Sequence, residues 1–384
     1  MASFQFRTPG SIISAPGGVG EIGADYALRS ARRVLLITDQ TLVELGIAGR
    51  VEEPLREKGI EVFTYADVEP EPSAETVRRA TAFGRENKVD GVVGLGGGSP
   101  MDVAKLVALF VRTPQAIEDT YGVDLAKGER LPLVLIPTTA GTGSEVTKVA
   151  VVTADNMDKA PILAPQLYCD SVILDVELTL GLPPKVTAAT GVDAMVHAIE
   201  AYTSSLRKNP ASDQLALQAM RLLFANVRTA VTHGDDVAAR SAMLTGSMLA
   251  GLAFANSTVG AVHALAYPLG TQFHVSHGGS NAVVFVPVMR FNMPEASPLY
   301  AEIARAVLPE TQTFDDDDAA ARLADALDEL IPAVGLEGRL REFGIEEQHI
   351  PALTDGALRQ ERLIGYNFKP MDRLDVEAIF RAAL

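Results

Sequence analysis

Four short β-branched runs, the first three each followed by a stretch of helical periodicity, occupy the first half of the chain, and they constrain the fold more than any other feature. Arg33-Val34-Leu35-Leu36-Ile37-Thr38 reads as a buried strand and Leu42 to Lys58 as a helix. Val62 to Tyr65 and Ala74 to Asn87 repeat the pair, as do Gly91 to Leu95 and Asp102 to Val111. Leu133-Val134-Leu135-Ile136-Pro137 is a fourth strand, and the pattern fades after Ser171-Val172-Ile173-Leu174. Continuous apolar strands alternating with helices predict a parallel, doubly wound sheet covered on both faces. From about Pro183 the period is helical throughout, with Ser212 to Val227 and Ala238 to Phe254 as long Ala/Leu/Met-rich examples. The expected organisation is an α/β domain with a parallel, doubly wound sheet at 1–182 and an all-α domain at 183–384.

With 384 residues, 47% of them hydrophobic, the chain can bury two such cores. Its 33 Lys and Arg against 49 Asp and Glu leave a formal charge of −16, which disfavours nucleic-acid and anionic-membrane partners. No signal peptide is read at the N-terminus, and a lone cysteine, Cys169, excludes an internal disulfide and fits a reducing, cytoplasmic compartment. Ser241 to Met289 contains no Asp, Glu, Lys or Arg, but polar residues and glycines interrupt it. It is therefore expected to form buried helices rather than a membrane span. Asp315 to Asp318, just before an Ala/Leu helix, suits a helix N-terminus better than a calcium loop.

Two loops follow buried strands of the proposed sheet. Gly96-Gly97-Gly98-Ser99-Pro100 would let a phosphate approach the backbone at a helix N-terminus, although a tight turn would use the same glycines. Pro137-Thr138-Thr139-Ala140-Gly141-Thr142-Gly143-Ser144-Glu145 would emerge at the same carboxyl edge, where such sheets bind ligands. Asp39, directly after the first strand, could accept ribose hydroxyls or cap the following helix; the residues alone leave both readings open.

The second half carries an acid–imidazole constellation. Asp193 and His197 are four residues apart on a helix and so share a face. His263 and His277 stand in charge-free surroundings. A buried carboxylate is costly unless compensated, and a divalent cation is the natural compensation. One carboxylate with three imidazoles and no thiolate suits Fe(II), Zn, Mn, Co or Ni.

Taken together, these segments resemble the iron-containing, group III alcohol dehydrogenases, over nearly the whole chain. Gly96 to Lys105 resembles that family's nucleotide motif and Pro137 to Thr147 its second cofactor loop; Gly191 to Tyr202 and Val262 to Asn281 resemble its two metal signatures. The resemblance implies Asp193, His197, His263 and His277 as ligands of Fe2+, with Zn2+ or another divalent ion as substitutes. It implies Gly97, Gly98, Ser99, Thr138, Thr139, Thr142, Ser144 and Lys159 as NAD contacts, and Asp39 as the residue favouring NAD over NADP. The implied activity is an NAD-dependent alcohol dehydrogenase or aldehyde reductase acting on a small alcohol, diol or hydroxy acid. A homodimer or larger homo-oligomer is the implied assembly, on which the sequence itself is silent.

The chain departs from the family pattern at two places. Tyr267 stands where many members have His, one helical turn after the third ligand, and Glu71-Pro72 stands where many have Asn-Pro. Tyr267, at the expected helix end before Pro268, is a candidate to orient substrate or pass its proton onward with His274. Glu71 is expected to reinforce Asp39 against a 2′-phosphate. A hydroxyacid–oxoacid transhydrogenase is the rival reading. A phosphorylated-polyol dehydrogenase like the dehydroquinate synthase relatives ranks lower, because the charge-free stretch offers no Arg or Lys to a phosphate.

Overall fold

The computed structural model describes residues 3–156 and 158–384. The chain divides into two compact units, residues 7–180 and residues 181–384, the latter together with the described N-terminal residues through Phe6.

Residues 7–180 form the α/β unit. Its strands are β1 (Ser11–Ser14), β2 (Arg33–Ile37), β3 (Glu61–Tyr65), β4 (Gly91–Gly96), β5 (Gly122–Val123), β6 (Leu133–Pro137), β7 (Val149–Thr153), β8 (Lys159–Leu163) and β9 (Ser171–Leu174). Six of them make one sheet in the order β1-β9-β6-β4-β2-β3, every pairing parallel. Val34 to Ile37, Val92, Val93 and Leu133 to Ile136 are fully buried, which explains the continuous apolar runs. The chain steps outward from β2 to β3, then returns to place β4 on the other side of β2, so the strand order reverses beside β2. Its helices are α1 (Gln40–Glu44), α2 (Ile47–Glu57), α3 (Ala74–Glu86) and α4 (Gly98–Arg112).

Three expectations for this unit need correction. The single helix over 42–58 is two helices, broken at Gly46, whose φ of 73° is the left-handed conformation glycine tolerates. Helix α4 begins at Gly98, four residues earlier than its apolar period suggests, so the glycine cluster is itself the helix start. The edge strand β1 and the antiparallel hairpin β7–β8, with β5 beside β8, were not anticipated. They are short, and β7 and β8 bury only every second residue, so none shows the continuous buried run of a strand covered on both faces.

The second unit is all helical: α5 (Pro184–Thr203), α6 (Pro210–Thr232), α7 (Val237–Asn256), α8 (Ala261–Phe273), α9 (His277–Val307), α10 (Asp316–Ala333), α11 (Ile350–Leu358), α12 (Glu361–Gly365) and α13 (Arg373–Ala383). Helix α5 is buried on nearly all sides from Gly191 to Thr203, against α6, α7 and α9. Helix α7 has the length and apolarity to cross a bilayer, yet it packs against α5 and α6. Asp315 caps α10, accepting the Asp318 N–H at 2.9 Å, so the acidic run is a helix start. Pro268 does not end α8. The helix continues to Phe273 and stops where His274 adopts a left-handed φ of 55° as its C-cap.

Candidate functional site

In the helical unit, Asp193 and His197 project from the buried middle of α5, His263 from the first turn of α8, and His277 from the first residue of α9. Gly278 explains how α9 can start so close to α5. A Cβ at that position would lie 2.3 Å from the Ala189 carbonyl oxygen, so only glycine permits the approach that delivers His277.

The four side chains converge. Asp193 Oδ1 lies 3.5 Å from His277 Nε2, 3.9 Å from His263 Nε2 and 4.0 Å from His197 Nε2. The two nitrogens His263 Nε2 and His197 Nε2 are 3.0 Å apart. The ligand atoms of Asp193, His263 and His277 all lie within 4.8 Å of one another, a spacing that one divalent cation could hold, and His197 Nε2 stands beside this group, next to His263 Nε2. Asp193, His197 and His263 are buried, whereas the His277 side chain is 41% exposed and marks the open side. Phe254 stacks on His197 with ring centroids 4.5 Å apart.

The electrostatics suit a cation. Burial opposes the charge on Asp193, but the three imidazoles and an Asn281 Nδ2 donor at 2.6 Å outweigh it and hold the carboxyl below its ordinary value. Burial, aided by His263 and His277, pushes the His197 imidazole down to about 4, so it is neutral at physiological pH. Burial also works against charge on His263, yet Glu200 more than offsets it and leaves that imidazole raised. Glu200 Oε2 lies 2.6 Å from His263 Nδ1, and Glu200 Oε1 accepts the Val262 N–H at 2.7 Å.

Neither Glu200 nor Asn281 was read from the sequence as part of the site. The signal was present in the spacing: Glu200 follows Asp193 by seven residues and His197 by three, and Asn281 follows His277 by four. Of the two candidate proton-handling residues, Tyr267 is close, its ring centroid 6.4 Å from that of His277. His274 is exposed, and among the described residues no hydrogen bond joins its ring to the four convergent side chains.

In the α/β unit, the two loops leave adjacent parallel strands, with Gly96 paired to Pro137 at the carboxyl ends of β4 and β6. They touch. A Cβ at Gly97 would lie 3.6 Å from the Thr139 side chain, and one at Gly98 only 3.0 Å from Thr142 Cγ2. Gly97 is the N-cap of α4 and supplies no side chain, leaving the first N–H groups of a 15-residue helix to a ligand. Asp39 stands at the carboxyl end of β2, beside the reversal of strand order, and its Oδ1 accepts the Leu42 N–H at 3.0 Å. The capping reading is thus realised, while the second carboxylate oxygen remains for other use.

Ser99 Oγ accepts the Glu71 N–H at 3.3 Å, and Lys159 Nζ donates to Glu71 Oε2 at 2.8 Å and to Thr153 Oγ1 at 3.0 Å. Glu71 is therefore neutralised by Lys159, against the expectation that it adds a bare carboxylate. Thr142 Oγ1 accepts the Ser144 N–H. The Ser144 hydroxyl is committed to Asp102 Oδ1 and Lys105 Nζ, each at 2.6 Å, so it braces the loop from within. Beneath it lie two buried groups: burial pushes the Glu145 carboxyl up to about 7 and the Cys169 thiol up to about 12.

A family model for iron-containing alcohol dehydrogenases matches residues 9–176, and a model for the C-terminal part of the Fe-containing alcohol dehydrogenase family matches residues 187–384. The chain belongs to the iron-containing alcohol dehydrogenase family. Long-chain-alcohol dehydrogenase 1 of Geobacillus thermodenitrificans is 41% identical over 96% of this chain and 93% of its own length. The crystal structure of a 1,3-propanediol oxidoreductase superposes over all of both chains with a TM-score of 0.96 at 34% identity. Sulfoacetaldehyde reductase from Bifidobacterium kashiwanohense, solved in complex with NAD+, superposes with a TM-score of 0.90 at 29% identity over 100% of this chain and 99% of that one. Membership makes this protein an oxidoreductase of a family that includes alcohol and diol dehydrogenases and aldehyde reductases.

Proposed function

We propose that this family member is an NAD-dependent, divalent-metal-dependent dehydrogenase that interconverts a small alcohol, diol or hydroxy acid with its carbonyl form. The observation that carries the reading is the convergence of Asp193, His197, His263 and His277, with the three imidazole Nε2 atoms 3.5–4.0 Å from the same carboxylate oxygen. These residues fit a divalent cation; Fe2+ is the ion in the family's name, and Zn2+ would satisfy the same donors. When bound, the cation supplies a Lewis acid for the substrate oxygen, and NAD supplies the hydride acceptor.

The chain's own residues set the conditions for both. Asp193 would be the one charged group among the four donors, the imidazoles binding as neutral ligands, and the cation's charge would favour a deprotonated substrate oxygen. The half-open position of His277 leaves one side for that oxygen, with Tyr267 near enough to orient it by its hydroxyl. An unperturbed phenol has a pKa near ~10, which suits orientation better than proton transfer at neutral pH. Gly97, Gly98, Thr138, Thr139 and Thr142 would receive the NAD pyrophosphate at the α4 N-terminus. Asp39 would take the adenosine ribose hydroxyls with its free oxygen. Lys159, held by Glu71, would face the cofactor from the β7–β8 hairpin.

The test is a screen for reduction of added NAD over small alcohols, diols and hydroxy acids, with protein reconstituted separately with Fe(II) and Zn(II). At least one alcohol is expected to give metal-dependent NADH formation. Absence of any such turnover, coupled with hydride exchange between a hydroxy acid and an oxo acid, would establish the transhydrogenase reading instead.

A further inference from the structure

We infer that Glu200 is a positioning residue of the metal site, acting through His263; the inference rests on the metal reading proposed above. Asp193, His197 and Glu200 form one stripe along α5, at intervals of four and three residues. The first two present ligand atoms to one another, and the third reaches past them to α8. The Glu200 side chain is 8% exposed and meets two donors there: the Val262 N–H at 2.7 Å and His263 Nδ1 at 2.6 Å.

A carboxylate has acceptors and no donor, so its bond with Nδ1 places the imidazole proton on Nδ1. The neutral ring then keeps its lone pair on Nε2, the atom 3.0 Å from His197 Nε2 and 3.9 Å from Asp193 Oδ1. The opposite tautomer would carry a proton on Nε2 and could not ligate. Glu200 therefore selects both the ring orientation and the tautomer that a cation needs. Its second bond, to the Val262 N–H, anchors the first turn of α8, which carries the His263 backbone. The environment gives the carboxylate little slack: a Cβ at Gly260 would already lie 3.4 Å from Glu200 Oε1.

The Glu200→Gln variant is the informative one because it nearly preserves shape. Glutamine offers one acceptor oxygen where two donors need one each. If the oxygen faces Val262, the amide NH2 faces Nδ1 and selects the wrong tautomer; if it faces His263, the NH2 opposes the Val262 N–H. Wild type and variant would be titrated with Co(II) and Zn(II) against a competing chelator, with the Co(II) visible spectrum recorded and the melting temperature of each metal-free protein measured. Glu200→Gln is expected to weaken metal binding by about 10–100-fold and to alter the Co(II) spectrum. The Zn(II)-loaded wild type should also show a solvent-protected, downfield His263 Nδ1 proton, which provides a test if the variant does not fold.

A merely structural role would lower the melting temperature and leave the dissociation constant and spectrum alone. Metal binding by the variant within threefold of wild type, with an identical spectrum, overturns the inference while leaving the metal site standing. Absence of that Nδ1 proton overturns it too. Failure of the wild-type protein to bind either metal removes the site and this inference with it.

Discussion

Cofactor choice can be worked out from Asp39. Its side chain is half-buried at the carboxyl end of β2 and serves as N-cap of α1 through the Leu42 N–H. Replacement by Asn keeps the cap, since Asn and Asp cap about equally well, and removes only the charge. The 2′-phosphate of NADP carries about −1.5 to −2 charges. At about 5 Å, with an effective dielectric of roughly 40–80 for a half-exposed group, each unit pair repels by about 0.8–1.7 kcal/mol. The sum is roughly 1–3 kcal/mol, or about 10–100-fold in discrimination. Glu71 should add little, because Lys159 sits 2.8 Å from its carboxylate. The ratio of kcat/KM for NAD to that for NADP, measured with one alcohol, should therefore fall about 10–100-fold in Asp39→Asn. Glu71→Gln should change it by less than about threefold. An unchanged ratio in Asp39→Asn, a larger change in Glu71→Gln, or equal use of the two cofactors by wild type would refute the reasoning.

His263→Ala should lose metal and nearly all turnover while NADH titration still shows cofactor binding; full metal occupancy in the variant would exclude His263 as a ligand. Tyr267→Phe removes only the hydroxyl, and kcat/KM should fall about tenfold, the ~1.4 kcal/mol scale of one hydrogen bond; unchanged kinetics across pH would reduce Tyr267 to a pocket wall. Glu145 titrates at about 7 when folded and near ~4.5 when unfolded, so the folded chain holds its proton more tightly between those values. That contribution is complete below pH ~4.5 and is lost as pH rises to about 7, by up to about 3 kcal/mol. Glu145→Gln cannot titrate, so its melting temperature should gain on wild type as pH rises from 5 to 8; a gap independent of pH would contradict this.

Where a local pattern has one physical cause, the chain was readable without coordinates. The runs at Val34–Ile37, Val92–Val93 and Leu133–Ile136 are apolar because both faces of a parallel strand are covered, and no other environment asks for that pattern so consistently. Asp193 and His197 were legible for a similar reason, since their i, i+4 spacing places them on one face whatever packs against it. The N-terminal placement of the acidic run before α10 followed from the helix dipole alone.

Long-range packing decided the rest. His263 lies 66 residues beyond His197, and no periodicity relates α5 to α8; only their packing sets Nε2 3.0 Å from Nε2. Glu200 went unread because a glutamate in a helix is ordinarily a solvated group, and its role exists only where α8 supplies two donors to it. Ser144, likewise, belongs by sequence to a phosphate loop, but a half-buried Asp102 and a buried Lys105 take up its hydroxyl. Tertiary contact also reversed the meaning of Glu71: a carboxylate in the sequence is a charge, whereas one held 2.8 Å from Lys159 is half of a neutral pair. Local spacing thus determined which residues share a face, because helix and strand periods are properties of the backbone. Which faces meet, and hence which charges survive, depended on contacts between segments far apart in the chain.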